Sequence, residues 1–201
     1  MPRQSKTYIK ILEAALPLFA AYGYKGVAMR DIASAVGITA AALYNHFPNK
    51  EQLHLKALEY AFAQKVENLS TSLAETGSAK ERLSRFILFW IESFGDNVIL
   101  RSLLQREMAD ADPIRMKLLV EHVFQPMFND VEVFIRQSAN GLNPHLLFVS
   151  IIGLVMYHFE MSPLRKLIKG YSPEQDEPEQ VAKHITELIQ HGIALQPEND
   201  G

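Results

Sequence analysis

Residues 30–47 read RDIASAVGITAAALYNHF, and the spacing of small, apolar and capping residues in this stretch decides the fold of the first part of the chain. Ala33 is small enough to stand where two helices cross at a steep angle, and Gly37 can take the positive φ of a tight turn without strain. Thr39 is a natural N-cap for the next helix, and Leu43 falls where it can bury against the first. The stretch therefore predicts a helix-turn-helix, whose second helix would enter a DNA major groove with its N-terminal residues toward base edges.

Helical periodicity continues on both sides of this stretch. Apolar residues over 8–22 recur at three- and four-residue steps, with Pro17 expected to bend that helix and Gly23 to end it. Asn49 is expected to cap a long helix that runs to about Thr76. Further along, capping-box spacing at Ser78 and an aspartate before a proline at 112–113 predict two more helix starts. No segment shows the sustained alternation of a strand.

The length of 201 residues fits one small and one medium domain. We expect an all-α protein, with a three-helix helix-turn-helix domain over 1–52 and a larger helical ligand-binding and dimerisation domain over 53–201. The absence of cysteine excludes disulfides, thiol nucleophiles and thiolate metal sites. The longest apolar stretch, 146–157, is shorter than the roughly 20 residues that cross a bilayer, and no secretory signal is recognised. These features predict a cytoplasmic protein with no membrane partner.

Charge is distributed unevenly, although the whole chain carries a net charge of −3. Residues 1–56 contain seven lysines and arginines against three acidic residues, and the remainder contains 13 against 20. This makes residues 1–56, called the head, basic and the remainder, called the body, acidic. A basic head favours an anionic partner, such as nucleic acid. On charge alone, chance clustering is an equal alternative.

The head resembles the TetR family of transcriptional regulators over residues 8–53. The resemblance is specific, because the LYNHF run and the NKE that follows lie at the family's spacing after the helix-turn-helix. It implies a sequence-specific DNA-binding regulator, with repression as the commoner mode in the family. The matching segments are 11–15, 18–19, 23–24, 31–33, 36–39, 43–47 and 49–51.

Four positions depart from the family pattern. Val27 and Ala28 stand where the family usually has a threonine or serine that caps the second helix and contacts phosphate. Ala40 and Ala41 stand where a lysine and a glycine are frequent, and they offer no hydrogen bond to a base. Their methyl groups remain suited to contact with thymine methyls.

The resemblance implies DNA contacts from the recognition helix and its flanks. Tyr44 resembles a tyrosine that contacts phosphate and packs on a base, and Lys50 resembles a phosphate anchor. Thr39 would cap the helix and touch phosphate or base, while His46 would bond backbone phosphate. The operator is expected to be a near-palindromic duplex, as two-fold protein symmetry requires. The predicted DNA-binding residues are Arg30, Thr39, Ala40, Ala41, Tyr44, Asn45, His46 and Lys50.

The C-terminal helices are rich in phenylalanine and methionine, which suits a pocket for an apolar or aromatic small molecule. Such residues more often form plain core. Glu107, His122 and His158 interrupt the apolar faces and are expected to point inward, although no metal site and no cofactor is predicted. The predicted ligand-binding residues are Phe86, Trp90, Phe94, Leu104, Met108, His122, Met127, Ile152 and Met156.

Two apolar helices are expected to form a homodimer. The helix over 145–160 is apolar almost all round and should be buried on most sides, and the last helix carries one apolar stripe. Paired across a two-fold axis they would make a four-helix interface, the arrangement usual in the family. Gly153 would let the backbones approach closely. The predicted interface residues are Leu146, Val149, Gly153, Met156, Val181, Ile185, Leu188 and Gly192.

An enzyme is not expected. The sequence contains no glycine-rich phosphate loop, no GxSxG, no HExxH and no cysteine nucleophile. The favoured hypothesis is a repressor that a small effector releases from its operator. The alternative is a DNA-binding protein that acts architecturally or through a protein partner, without a small-molecule ligand. A filled C-terminal core would favour the alternative, and a cavity of roughly several hundred Å³ would favour sensing.

Overall fold

A computed structural model describes residues 5–74, 77–95, 97–138 and 143–191, with the side chains of all but 63–74 and 138. The described chain is helical and contains no strand, which confirms the all-α prediction. Within the same ranges, no helix combines the length and apolar character needed to span a membrane.

Eleven α-helices follow one another in the described ranges, with a π-helical turn and a 3-10 turn between them. Their bounds are α1 Lys6–Gly26, α2 Met29–Val36, α3 Ala40–His46, α4 Lys50–Ala74, α5 Ala79–Gly95, α6 Val98–Asp110, α7 Pro113–Leu119, the π turn Val120–Phe124, α8 Gln125–Ser138, α9 Pro144–Glu160, α10 Ser162–Arg165, the 3-10 turn Pro173–Asp176 and α11 Pro178–His191.

The chain divides into two compact units. The first contains Met1–Asn68 with Asn97–Asp130, and the second contains Leu69–Asp96 with Val131–Gly201. In the first unit α6 packs along α1. The helix-turn-helix therefore shares a compact unit with α6 and α7, whereas the predicted division at residue 52 separates them. The functional boundary at residue 52 stays a prediction.

The turn at Gly37 and the helix caps at Thr39 and Asp112 form as the sequence predicts. Gly37 has φ 77° and ends α2, and the Thr39 hydroxyl accepts a hydrogen bond from the Ala42 amide at 3.1 Å. Asp112 caps α7 by accepting from the amides of Ile114 and Arg115. These caps satisfy amides that the first turn of a helix leaves without an intrahelical partner.

The two prolines inside helices behave differently. α1 runs through Pro17, and its non-helical residue is Gly23, with φ 69° and ψ 172°. The helix then adds one more turn to Gly26 rather than ending at Gly23 as predicted. Before Pro126 the chain widens into the π turn, because the proline ring crowds the carbonyl four residues earlier.

An arginine from α6 binds the backbone of α1 beside the interruption at Gly23. The Arg106 guanidinium donates from Nε to the Ala20 carbonyl at 2.6 Å and from Nη2 to the Ala21 carbonyl. Its Nη1 lies 3.5 Å from the point where a Cβ on Gly23 would stand. The interruption thus exposes carbonyls that a side chain of another helix satisfies.

A buried polar cluster joins α6 and α7. Arg115 is 7% exposed, and its guanidinium contacts three carboxylates: Glu107 at 3.1 Å, Asp110 at 2.7 Å and Asp112 at 3.5 Å. Glu107 is also buried, and its second oxygen lies 3.3 Å from Nε2 of His54 on α4. The fork of the guanidinium lets one buried cation contact several acceptors at once.

The second unit is built around α5. Its buried residues Phe86, Trp90 and Phe94 lie on one face, and the Trp90 and Phe94 rings stack with centroids 5.2 Å apart. α11 and α9 both pack against α5. On α9, Ile151 and Val155 are buried, but apolar residues on the other side of the helix are exposed. The prediction that this helix is buried on most sides is therefore wrong for the single chain.

The buried environment of His54 predicts a dependence of stability on pH. Burial, and then the positive charges of Arg115 and Lys50, lower the pKa of His54 to about 4. Above pH 6.5 the ring is neutral in both the folded and unfolded states. Between pH 6.5 and 4 the unfolded chain binds a proton that the folded chain excludes, so the free energy of unfolding should fall as pH falls, by up to about 3 kcal/mol.

Urea unfolding of wild type and His54→Gln over this pH range measures the effect. The pKa of Glu107 is raised by burial and acts with the opposite sign. Glutamine is chosen because its amide N–H can still donate to Glu107, so that the Glu107 contribution stays similar in the two proteins. His122→Gln, at an exposed histidine, is the matched control. Parallel curves for wild type and His54→Gln would contradict the prediction.

Candidate nucleic-acid interface

Helix α3, the predicted recognition helix, has one buried and one exposed face. Leu43 is fully buried. Phe47, the C-cap of α3, is 2% exposed, and its ring stacks on the Tyr8 ring with centroids 4.7 Å apart. Tyr44 is 51% exposed, and Asn45 beside it is also exposed. The apolar residues therefore fix the helix on the unit, which leaves the tyrosine and asparagine free to meet a partner.

The start of α2 lacks the hydroxyl that the family pattern led us to expect. The Asp31 side chain accepts a hydrogen bond from the Ala28 amide at 2.8 Å instead. This is the acidic half of a capping box, and it satisfies one amide without a serine or threonine at the cap. The departure at Val27 and Ala28 thus leaves the helix start intact.

A hollow of about 520 Å³ lies beside the exposed face of α3, at the N-terminal ends of α2 and α4. Helix N-termini carry partial positive charge and amides that point outward, which favours an anion. Arg30 and Lys50 add positive side chains to it. Its lining residues are Ala28, Met29, Arg30, Tyr44, Pro48, Asn49 and Lys50.

Lys50 has backbone partners inside the protein. Its Nζ donates to the carbonyls of Tyr24 at 2.8 Å and Val27 at 3.0 Å, and it lies 4.4 Å from the centroid of the Tyr24 ring. An ammonium group has three donors, so two are used by the end of α1. Lys50 therefore ties α1 to the start of α4, a role that its position in the motif did not reveal.

The predicted DNA-binding residues are all in the head, but not all on its surface. Arg30, Tyr44 and Lys50 share the hollow, and Thr39 caps α3. Exposed members are Arg30, Thr39, Ala41, Tyr44 and Asn45, and half-buried members are Ala40, His46 and Lys50.

The predicted ligand-binding residues fall into both compact units. Phe86, Trp90 and Phe94 are buried in the second unit, where Ile152 and Met156 are half-buried. In the first unit Leu104 and Met127 are buried and Met108 is 51% exposed. The expectation that His122 points inward is wrong, because its side chain is 48% exposed and lies 3.4 Å from Glu59. The same expectation is confirmed for Glu107, and His158 is half-buried.

The predicted interface residues separate into exposed and covered sets. Leu146 and Val149 are more than half exposed, and a Cβ on Gly153 would meet no atom within 4 Å. Val181 and Ile185 are buried within their own unit. Met156 and Leu188 are half-buried, and Gly192 lies outside the described residues.

Two hollows in the second unit border α11. One of about 510 Å³, called the polar hollow, is lined mostly by polar and charged residues, and one of about 350 Å³ is mainly apolar. Among the described residues, no group of three histidines or carboxylates is placed to hold a metal ion. The polar hollow is lined by His158, Arg165, Glu174, Gln175, Gln180, Val181 and His184, and the apolar one by Gly153, Leu154, Tyr157, His158, Met161, Val181, His184, Ile185 and Leu188.

Sequence reasoning missed Arg106 and Arg115, which hold the end of α1 and the α6–α7 junction. A signal was present for Arg115, because three carboxylates precede it within eight residues. For Arg106 no local signal exists, since its partners lie 85 and 86 positions earlier in the chain.

Comparison with known proteins places the head in a family. Residues 11–57 match the profile of the family described as Bacterial regulatory proteins, tetR family. Over these residues the chain resembles the TetR family. The negative regulator IcaR of the biofilm operon icaADBC in Staphylococcus epidermidis is 42% identical over 53 residues, which cover 26% of this chain and 29% of IcaR. The chain spans less than half the length of the first curated relatives that it matches.

Solved structures share the fold of nearly the whole chain. FadR from Bacillus subtilis, crystallised with stearoyl-CoA, has a TM-score of 0.76 at 20% identity and covers 92% of this chain and 99% of its own. AibR, crystallised with isovaleryl coenzyme A and operator DNA, has a TM-score of 0.68 at 22% identity and covers 91% and 97%. At these identities the likeness concerns the fold.

Proposed function

We propose that this chain is a transcriptional repressor of the TetR family, which reads a near-palindromic operator with α3 and leaves it when a mainly apolar effector binds. The observation that carries the DNA-binding part is the exposed face of α3 beside a hollow that combines two helix N-termini with Arg30. Phosphate groups suit such a hollow, while the exposed side chains of α3 are left for base edges.

The chemistry of α3 favours apolar contact with bases. Ala41, Tyr44 and Asn45 are its exposed predicted contacts, and of these the asparagine is suited to adenine and the alanine methyl to thymine. Selection of duplexes from a random pool by the purified protein tests this directly. A symmetric site enriched in A·T pairs is the expected outcome, and a bound sequence without internal symmetry would contradict the proposal.

A second copy of the chain is the proposed partner of α9. Leu146, Val149 and Tyr157 are between 52% and 65% exposed, and with Gly153 they lie on one side of the helix. Soluble proteins rarely leave such a continuous apolar face uncovered. A two-fold axis would cover both copies at once and would join two heads on one operator.

For the effector, we propose an acyl thioester of coenzyme A as the first class to test. FadR and AibR, which share the fold, were crystallised with stearoyl-CoA and isovaleryl coenzyme A. In this chain the aromatic core of the second unit offers apolar contacts, and among the described residues the buried Trp90 indole N–H has no acceptor. A buried donor of this kind suits a ligand carbonyl.

Arg30 and Lys50 are expected to differ in their effects on DNA binding. Arg30→Met should lower the salt slope of operator affinity by about one unit, because one phosphate contact is lost. Lys50→Met should change the slope less and should lower the free energy of unfolding by about 1–3 kcal/mol, because two carbonyls lose a charged donor. Binding titrations over a salt series, with urea unfolding of both variants, make the comparison. Equal slopes for the two variants would contradict it.

Gly153 allows a clean test of the dimer. The single chain has open space around this position, so Gly153→Leu should leave the helix intact and should even favour it by about 1 kcal/mol. In a dimer the added side chain would separate the paired helices. We expect a lower dimer fraction by light scattering and weaker operator binding, with Gly153→Ala as the matched control. A monomeric wild type would refute the dimer, and a dimeric Gly153→Leu would remove Gly153 from its interface.

Trp90 is the chain's single tryptophan and reports on its own surroundings. Stearoyl-CoA should change its fluorescence and release labelled operator at the same concentrations. Trp90→Phe, chosen because removal of the whole ring would cost about 3–5 kcal/mol, should shift the releasing concentration while operator affinity without effector is unchanged. Coupling of about 1–3 kcal/mol between the two ligands is typical. An unaltered response in Trp90→Phe would exclude Trp90 from the effector site.

A further inference from the structure

The last part of α1 is held from α6 and α7 by two arginines. Arg106 binds the Ala20 and Ala21 carbonyls, as described above. Arg115 places its guanidinium 4.4 Å from the centroid of the Tyr24 ring. Both contacts act on the short stretch of α1 around the interruption at Gly23.

Arg115 is itself fixed in direction. Its three nitrogens contact carboxylates on α6, at the α6–α7 junction and at the cap of α7, so the guanidinium plane cannot turn without breaking ion pairs. Between these carboxylates Ala111 has φ 45° and ψ 37°, a left-handed conformation that alanine rarely adopts. Such an outlier persists only where the surroundings hold it, and here the residues on either side, Asp110 and Asp112, both pair with Arg115.

We propose that Arg106 and Arg115 are positioning residues for DNA binding, which hold the α1–α3 head in one orientation relative to α6 and α7. This inference rests on the proposed function. Neither residue lines the hollow beside α3, so neither needs to touch DNA to act. The Arg106 contact fits the interruption of α1 at Gly23, because a continuous helix would use the Ala20 and Ala21 carbonyls for its own hydrogen bonds.

The consequence appears when two heads bind one operator. A single head can dock on a half-site in any orientation of the body behind it. Two heads of one dimer reach both half-sites only if each is held at the required angle, because half-site spacing is fixed by the DNA. Loss of the Arg106 and Arg115 contacts with α1 should therefore weaken binding to the full operator, while binding to a single half-site is retained.

Arg106→Met is the primary variant, because Arg106 is exposed and its replacement leaves no buried charge unpaired. Affinity is measured for the selected operator, for a duplex with one half-site, and for operators with one base pair added or removed at the centre. We expect full-site affinity to fall by roughly tenfold or more, with half-site affinity changed by less than about twofold. The preference among the three spacings should shrink.

Two further variants sharpen the test. Lys117→Met removes an exposed cation of α7 that pairs with Glu121, and it should leave both affinities unchanged. Arg115→Lys keeps the positive charge among the carboxylates but loses the planar fork, and it should reproduce the loss of full-site preference.

The outcomes separate the two proposals. If wild type selects no duplex, the proposed function fails and the positioning role fails with it. If wild type binds and Arg106→Met keeps the wild-type ratio of full-site to half-site affinity, only the positioning role is overturned. Loss of both affinities in Arg106→Met, with Lys117→Met normal, would show that Arg106 supports the fold of the head, and it would also overturn the inference.

Discussion

The interruption of α1 at Gly23 is the constraint on which the first unit depends. With φ 69°, this residue takes the helix out of its ladder one turn before Gly26. The carbonyls on either side are then bound by cations from elsewhere: Arg106 of α6 reaches Ala20 and Ala21, and Lys50 of α4 reaches Tyr24 and Val27. Side chains of α4 and α6 thus both bind backbone carbonyls within four residues of this irregularity. A side chain at position 23 would meet both a left-handed backbone and the Arg106 side chain.

The buried cluster around Arg115 extends this arrangement. Replacing buried ion pairs by apolar residues is often neutral or stabilising, so stability alone is a weak reason for a chain to keep one. A fixed orientation of the Arg115 guanidinium is a better reason. Because Glu107, Asp110 and Asp112 hold this group, it can present its face to the Tyr24 ring in one way only. His54 contacts the same cluster from α4, and its low pKa keeps it neutral there at neutral pH. Three helices and the end of a fourth therefore meet at one set of charges.

The features that could be predicted from the sequence are those that depend on residues close together in the chain. The helix-turn-helix, its glycine turn and the caps at Thr39 and Asp112 depend on residues within four positions of one another, and the structure has all of them. Contacts between distant residues were not predicted. The sequence predicted Lys50 only as a phosphate contact, because the carbonyls that it binds lie 23 and 26 positions earlier in the chain. The apolar composition of α9 gave no sign that one side of this helix is exposed in the single chain. Periodicity reports the character of a face, but not which neighbour covers it.

The clamp at Gly23 also limits how this protein can be recombined with its relatives. In a chimera of two proteins with this fold, the α1–α3 head of one would be joined to the body, the remaining helices, of the other. A crossover just after the helix-turn-helix would separate Gly23 and Tyr24 from Arg106 and Arg115, which lie 82 or more positions further along the chain. The donor body would then have to supply matching arginines, or the head would be grafted without its support. A functional chimera should therefore take α6 and α7 from the same protein as α1–α3, although these two segments are separated in the sequence.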